Sequence, residues 1–314
     1  MYLAPGRVGG PAVAAKYPAT RTGIHVAMFS RLLVSYDGSE EADAALSFAA
    51  ALAGRSDAGV TVVHVLEPER RTLRRRRRRD PEPATEKEAA EWLDEVIGRT
   101  PLRGRAESVI LEASRPAHEI IDLVAEVEAD LLLAGRRGSH ARPGFLLGGV
   151  AERLIAYSPC SVALFSAGHE AAPAPTVIAG HDGSAEADRA LEAATGLAVA
   201  FSARLVILSV VDYFIPFGGV APESVREGIR HDAERTLHEA VAGLAAPLDS
   251  VSEELGEGDP RAGLLAAAEE ARPLALVLGH TGERGFSELM LGRTASAVAT
   301  GARCPVVVVK PTSG

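Results

Sequence analysis

The stretch LLVSYDGSEEADAAL (Leu32–Leu46) occurs a second time in the chain, with substitutions, as VIAGHDGSAEADRAL (Val177–Leu191). In each copy an apolar run ends at Asp-Gly-Ser, and alanines and leucines then recur at the 3–4 spacing of one buried helix face. Ser39 and Ser184 are expected to cap these helices, since each is followed by acidic residues suited to a first turn. A strand–turn–helix unit built twice predicts a chain of two similar α/β halves.

The repeat continues beyond this unit in both halves. Val60–Leu66 and Arg204–Val211 are β-branched second strands, and each is followed by a third strand with a helix, a fourth strand with a short helix, and a closing fifth strand. Strands that alternate with helices imply right-handed crossovers and parallel pairing. The predicted fold class is therefore α/β, with two tandem doubly wound five-stranded parallel sheets in the strand order 3-2-1-4-5.

Changes in composition divide the chain into four parts. Residues 1–28 lack periodicity and are expected to form a disordered extension, unless Met28 is the true start. We expect the first domain at 29–166, a linker rich in Pro and Ala at 167–175, and the second domain at 176–311. A length of 314 residues fits two domains of ~100–200 residues each.

Composition and charge argue against several classes of protein. No apolar run approaches the ~18–20 residues of a membrane helix. The N-terminal region lacks the continuous apolar core of a signal peptide, so the predicted location is the cytoplasm. A net charge of −9 gives no general case for nucleic-acid binding. Cys160 and Cys304 precede the two closing strands and are predicted to be small buried residues, and the nine histidines form no metal-ligand pattern.

Three features need interpretations of their own. The run Arg70–Arg79 holds eight arginines in ten residues, which predicts a solvated or disordered segment, with contact to nucleic acid or an anionic lipid as the alternative. Val211–Pro222 is an apolar loop that either covers a pocket or buries part of a dimer surface. The single tryptophan, Trp92, lies in a helical pattern and is expected to pack in the core.

A glycine-rich stretch follows the fourth strand of each half: GRRGSHARPGFLLGG (Gly135–Gly149) and GHTGERGFSELMLGR (Gly279–Arg293). Glycine lets backbone N–H groups approach a phosphate, and the helix that follows offers free N–H groups and a favourable dipole. Strands one and four are neighbours in the predicted order, so the Asp-Gly-Ser turns lie at the same sheet edge. Simple turn chemistry is the alternative for one copy, but two equally spaced copies favour an anion-binding cradle. Neither a P-loop nor a dinucleotide fingerprint is present.

With these motifs the chain resembles a tandem member of the universal stress protein family, over roughly residues 30–166 and 176–311. Nucleotide-binding members of that family carry an Asp after strand one and the pattern G-2x-G-9x-G-[ST]. The resemblance implies an adenine nucleotide alpha hydrolase-like fold and places Asp37 and Asp182 in nucleotide pockets, with the backbone at Val65 and Val210 meeting adenine. Ribose and phosphates would be held by the glycines, which are Gly135, Gly138 and Gly148 in the first half and Gly279, Gly282 and Gly292 in the second.

The position after the third glycine departs from the family pattern in both halves. Gly149 keeps a backbone donor but loses the Ser/Thr hydroxyl, a change expected to weaken binding roughly tenfold to a hundredfold. Arg293 either replaces the hydroxyl with a stronger phosphate contact or points into solvent and leaves Thr294 as the donor. Val150, the next residue of the first-half helix, completes the predicted nucleotide-binding residues.

Other polar residues near the predicted sites each have two interpretations. His181 and His280 either contact phosphate or ribose or are ordinary loop histidines. Glu40 and Glu41 beside Asp37 suit a helix first turn better than a catalytic carboxylate pair. The cap serines have no convincing base to activate them, so no catalytic residue is predicted.

Three functions remain open at this point. The leading hypothesis is a stress-response protein that binds ATP, or AMP or ADP, with Mg²⁺ on the phosphates, and acts by binding rather than fast catalysis. The alternatives are a scaffold that has lost its ligand and a slow ATP hydrolase. By the resemblance, the two halves would form an intramolecular pseudo-dimer along their closing strands, with a further homodimer left open.

Overall fold

A computed structural model of the chain describes residues 29–67, 83, 85–139, 147–215, 219–244, 248, 250–281 and 291–311. The predicted N-terminal extension, the arginine run and Gly282 lie outside the described residues.

The first half alternates strands and helices as its sequence predicts. Its elements are β1 (Arg31–Ser35), α1 (Glu40–Ser56), β2 (Gly59–Leu66), α2 (Glu86–Gly98), β3 (Ala106–Glu112), α3 (Pro116–Glu126), β4 (Leu131–Gly135), α4 (Gly149–Tyr157) and β5 (Ser161–Phe165).

The second half repeats this order and adds a short hairpin after its second strand. Its elements are β6 (Thr176–Gly180), α5 (Ala185–Phe201), β7 (Arg204–Val211), β8 (Phe214–Ile215), β9 (Gly219–Val220), α6 (Glu223–Ala242), β10 (Val251–Glu257), α7 (Pro260–Ala271), β11 (Ala275–Gly279), α8 (Arg293–Gly301) and β12 (Val306–Val309). The hairpin β8–β9 lies in the apolar loop that the sequence analysis singled out, and Phe214 and Val220 are exposed there.

Ten of the twelve described strands form one continuous sheet, in the order β10-β7-β6-β11-β12-β5-β4-β1-β2-β3, and β8 and β9 pair only with each other. Within each half this is the expected 3-2-1-4-5 order with parallel pairing. The expected contact of the halves along their closing strands is confirmed, because β5 and β12 pair antiparallel, and this pairing joins the two five-stranded units into one sheet. Both closing strands are apolar and buried, and their pairing removes two exposed edges.

The antiparallel junction fixes where the ends of the strands lie. All strands of the first half run one way and all main-sheet strands of the second half run the other way. The carboxyl ends of β1 and β4 therefore lie at one edge of the sheet, and those of β6 and β11 lie at the opposite edge.

Helices cover both faces of the sheet, as a doubly wound fold requires. One face is covered by α1, α2, α5 and α6, and the other by α3, α4, α7 and α8. On the first face Phe48 of α1 packs against Phe165 of β5 and Phe201 of α5, with ring centroids 5.2 and 5.3 Å away. This aromatic contact links the two halves above the strand junction.

Several local expectations are confirmed. Ser39 caps α1 and Ser184 caps α5, since each side-chain oxygen accepts a hydrogen bond from the backbone three residues on, at 3.2 and 3.1 Å. Trp92 packs in α2 against Tyr36 and His64. Cys160 and Cys304 are free and buried.

The aromatic contact between the halves predicts a large loss of stability on truncation. Phe48→Ala should lower the free energy of unfolding by about 3–5 kcal/mol, because it removes a buried ring and leaves a cavity. Urea denaturation measures this change. Phe214→Ala removes the same side chain from an exposed site and should stay within about 0.5 kcal/mol of the parent. Equal effects of the two changes would contradict the assignment.

Candidate functional site

Asp37 connects the turns that follow β1 and β4 at one edge of the sheet. Its Oδ1 accepts hydrogen bonds from the backbone N–H of Ser39 at 3.1 Å and from the Ser39 hydroxyl at 2.6 Å. Its Oδ2 accepts from the backbone N–H of Ser139 at 2.8 Å. The carboxylate thus fixes the glycine-rich loop against the start of α1.

Glycines permit this close approach of the loop. A Cβ at Gly138 would lie 2.8 Å from Oδ2 of Asp37, and a Cβ at Gly135 would lie 2.8 Å from Cβ of Glu41. A side chain at Gly135 would push the end of β4 away from α1, and a side chain at Gly138 would displace the carboxylate of Asp37. We call Asp37, the glycines Gly135, Gly138 and Gly148, and the N-terminus of α4 the first cradle.

The second half builds a matching arrangement at the opposite edge. Oδ1 of Asp182 accepts from the backbone N–H of Ser184 at 3.1 Å and from its hydroxyl at 2.6 Å. A Cβ at Gly279 would lie 2.9 Å from backbone atoms of Glu186. We call Asp182, Gly279, Gly292 and the N-terminus of α8 the second cradle.

The helices α4 and α8 are each preceded by a glycine at the N-cap position, Gly148 and Gly292. No side chain among the described residues caps either helix, in contrast to α1 and α5. Within the part of the chain that the structure describes, the backbone N–H groups of their first turns therefore have no side-chain partner, and such groups suit an anion, which the helix dipole also favours. Gly149 and Arg293, the first helical residues, are both exposed.

The starts of these helices are held by equivalent backbone contacts. The N–H of Gly148 donates to the carbonyl of Arg136 at 2.9 Å, and the N–H of Gly292 donates to the carbonyl of His280 at 2.8 Å. The residue after the first motif glycine thereby fixes where the helix begins. Val150 is exposed and Thr294 is half-buried in the first turns that result.

Val65 and Val210 lie beyond the ends of the neighbouring first strands. The β1–β2 register ends at Ser35 and Val63, whereas β2 continues to Leu66. The carbonyl of Val63 accepts from the N–H of Tyr36 at 2.8 Å, so the carbonyl of Val65, two residues on, faces the same side. In the second half the N–H of His181 donates to the carbonyl of Leu208 at 2.9 Å, so the carbonyl of Val210, two residues on, faces the same side as that of Leu208.

The structure gives His181 and His280 places in the interior. His181 is buried, and its Nε2 lies 3.1 Å from Oδ1 of Asp188 on α5. His280 is also buried, and its pKa is lowered by burial and by nearby Lys310. The interpretation that these histidines are phosphate ligands receives no support from this arrangement.

The acidic residues after Asp37 occupy the first turn of α1, as the helix interpretation predicts. Glu41 is mostly buried and forms an ion pair with Arg137, whose Nη2 lies 2.9 Å from Oε1. This pair ties a motif side chain to α1.

Three residues that hold the site or its helices in place are not predicted from the sequence: Ser139, Arg136 and Lys310. Ser139 supplies a main-chain donor to Asp37, and its place directly after Gly138 is the signal that would have indicated it. Arg136 is buried although it lies between two motif glycines, and Lys310 is buried directly after β12. Periodicity gives no sign that either cation is buried, because their partners lie in the other half.

Within the described residues, no helix has both the length and the apolar character needed to cross a membrane. The universal stress protein family model matches residues 28–166 and 174–310. The chain therefore belongs to the universal stress protein family, with two domains of that family in tandem.

Relatives and solved structures agree with this assignment. A universal stress protein of Mycolicibacterium smegmatis is 30% identical over 294 residues, covering 89% of this chain and 97% of the relative. One from Mycobacterium tuberculosis is 28% identical over 301 residues, covering 89% and 96%. The fold is shared with the crystal structure of an Archaeoglobus fulgidus universal stress protein, at 22% identity and a TM-score of 0.63, covering 90% of this chain and 98% of that one.

The geometry of the first cradle predicts different responses at two of its glycines. Gly138→Ala should lower the free energy of unfolding by about 1–3 kcal/mol, because the new Cβ displaces the Asp37 carboxylate from the backbone of Ser139. Gly149→Ala places its Cβ in open space at the start of a helix and should leave stability unchanged or slightly raised. Urea denaturation of both variants measures the difference, and a harmless Gly138→Ala would show that the close approach is not needed.

Proposed function

We propose that the protein binds ATP or a related adenine nucleotide in both halves and acts in the stress response through binding rather than fast catalysis. The observation that carries this proposal is the pair of equivalent cradles: in each, a glycine at the end of the fourth strand packs closely against the helix that follows the first strand, and no described side chain caps the nearby helix N-terminus. Family membership supports the same proposal.

The phosphate groups would lie at the starts of α4 and α8. In the first cradle Gly149 and Val150 are exposed residues of the first turn of α4, where backbone N–H groups suit an anion. In the second cradle the guanidinium of Arg293 adds a positive charge at the first helical residue. Mg²⁺ enters as part of the nucleotide complex, since it is commonly held through phosphates and water.

The adenine would lie over the ends of β2 and β7. The main-chain groups of Val65 and Val210 that face the first strands extend beyond those strands, and a carbonyl there can accept a hydrogen bond from the adenine amino group. Both side chains are half-buried against the layer that holds α4 and α8. The base would thus lie on the same face as the phosphate-binding helices.

Binding rather than catalysis is proposed because the carboxylates of the first cradle already have partners within the chain. Asp37 accepts hydrogen bonds from Ser39 and Ser139, and Glu41 pairs with Arg137. A general base would need a carboxylate positioned toward an attacking water. The proposed location is the cytoplasm.

A matched pair of charge substitutions tests the two cradles. Val150→Glu and Arg293→Glu each place a carboxylate in a first helical turn, where it suits the dipole but repels phosphate. In the parent chain, Mg·ATP at ~100 times its dissociation constant should add about 2.7 kcal/mol to the free energy of unfolding for each site that it occupies. Calorimetric titration should find two sites in the parent, one in each single variant and none in the double variant.

The same experiment has a clear contrary result. If folded parent protein shows no thermal shift with Mg·ATP and no heat of binding, a scaffold without ligand becomes the better description. If the double variant binds as the parent does, the nucleotide lies elsewhere. Steady release of phosphate that disappears in Asp37→Ala would instead favour a slow hydrolase.

A further inference from the structure

Arg136 of the first half reaches across the strand junction to the C-terminus of α8. Its guanidinium donates to the carbonyl of Ala302, and lies 3.5 Å from the carbonyl of Thr300 and 3.4 Å from that of Cys304. The side chain is buried, and burial lowers its pKa to about 10, so it remains charged at neutral pH. A cation from the first half therefore occupies the C-terminal end of the helix whose N-terminus belongs to the second cradle.

Lys310 makes the reciprocal contact from the second half. Its Nζ donates to the carbonyl of Ser158 at 2.7 Å and to that of Ala156 at 3.2 Å, at the C-terminus of α4. The opposed directions of the two halves explain this exchange, because each helix ends at the sheet edge where the other half's cradle lies.

The two cations occupy different positions of the repeat. The counterpart of Arg136, 144 residues on, is His280, and the counterpart of Lys310 is Ser166. Each half thus has one cation at one of two equivalent positions, and both reach the same place on the opposite helix. Among the described residues, Nε2 of buried His280 has no hydrogen-bond partner. The contact with the C-terminus of α4 comes from Lys310 instead.

We propose that each cradle owes part of its affinity for phosphate to a cation from the other half: Arg136 for the second cradle and Lys310 for the first. This inference rests on the proposed function. A cation at a helix C-terminus offsets the partial negative charge of that end and attracts an anion at the N-terminus across the length of the helix. Each nine-residue helix is about 13 Å long, so a cation and a phosphate just beyond its two ends lie about 17 Å apart, and at an effective dielectric constant of about 20 a unit charge at that distance changes affinity about fivefold.

The test measures each cradle alone in the full chain. In the Val150→Glu background only the second cradle binds Mg·ATP, so Arg136→Met should raise its dissociation constant about fivefold, and Arg136→Lys should restore most of the loss. In the Arg293→Glu background only the first cradle binds Mg·ATP. There Lys310→Met should raise the dissociation constant about fivefold, and Lys310→Arg should restore most of the loss.

A pH titration separates charge from packing. Burial lowers the pKa of Lys310 to about 8, and the ionisable groups facing it are His280, after β11, and Cys160, before β5. The pKa of His280 is lowered and that of Cys160 is raised, so both stay neutral near pH 8. The first cradle should lose most of its fivefold advantage between pH 7 and pH 9 as Lys310 loses its proton, and this loss should be absent in Lys310→Met.

The outcomes distinguish a failure of this inference from a failure of the proposed nucleotide binding. No binding in the unsubstituted folded chain overturns both proposals. If binding occurs but the methionine variants leave the opposite cradle unchanged, only the crossed contribution is overturned. It is also overturned if the conservative variants lose as much affinity as methionine. If one methionine variant fails to fold, the other half's pair and the pH titration of the Arg293→Glu chain still decide the question.

Discussion

The backbone pairing of β5 with β12 is the contact on which the rest of the molecule depends. It joins two five-stranded units into one sheet, buries both closing strands and sets the halves in opposite directions. The aromatic contact among Phe48, Phe165 and Phe201 covers the same junction on one face. The crossed contacts of Arg136 and Lys310 exist only because this pairing brings each helix end to the other half.

Much of the fold could be predicted from sequence because its signals are local. Asp-Gly-Ser followed by an alanine-rich helical face indicates strand, cap and helix within fifteen residues, and Ser39 and Ser184 do cap their helices. The strand order within each half followed from the alternation of strands and helices. The joining of the halves along their closing strands came from the family resemblance and not from a local pattern, because two apolar closing strands are equally compatible with separate sheets.

The candidate site divides in the same way. Glycine spacing placed the loops, and the close approach of Gly138 to Asp37 gives that spacing a physical reason. The histidines are different: His181 and His280 are adjacent to expected ligand residues in sequence but buried among other side chains in space. Arg136 was passed over because an arginine in a loop ordinarily faces solvent. Only the position of the opposite half shows that its guanidinium serves carbonyl groups 164 to 168 residues away.

The opposed orientation of the halves also determines which parts of the two domains lie together on one side of the molecule. The two cradles lie on opposite rims of the sheet, where the strands of one half end and the strands of the other half begin. Each rim also carries the C-terminus of the other cradle's helix, together with the cation that donates to its carbonyl groups. Each rim of the fused chain therefore combines the cradle of one domain with a helix C-terminus of the other. Two independent domains on a flexible tether would not provide this combination.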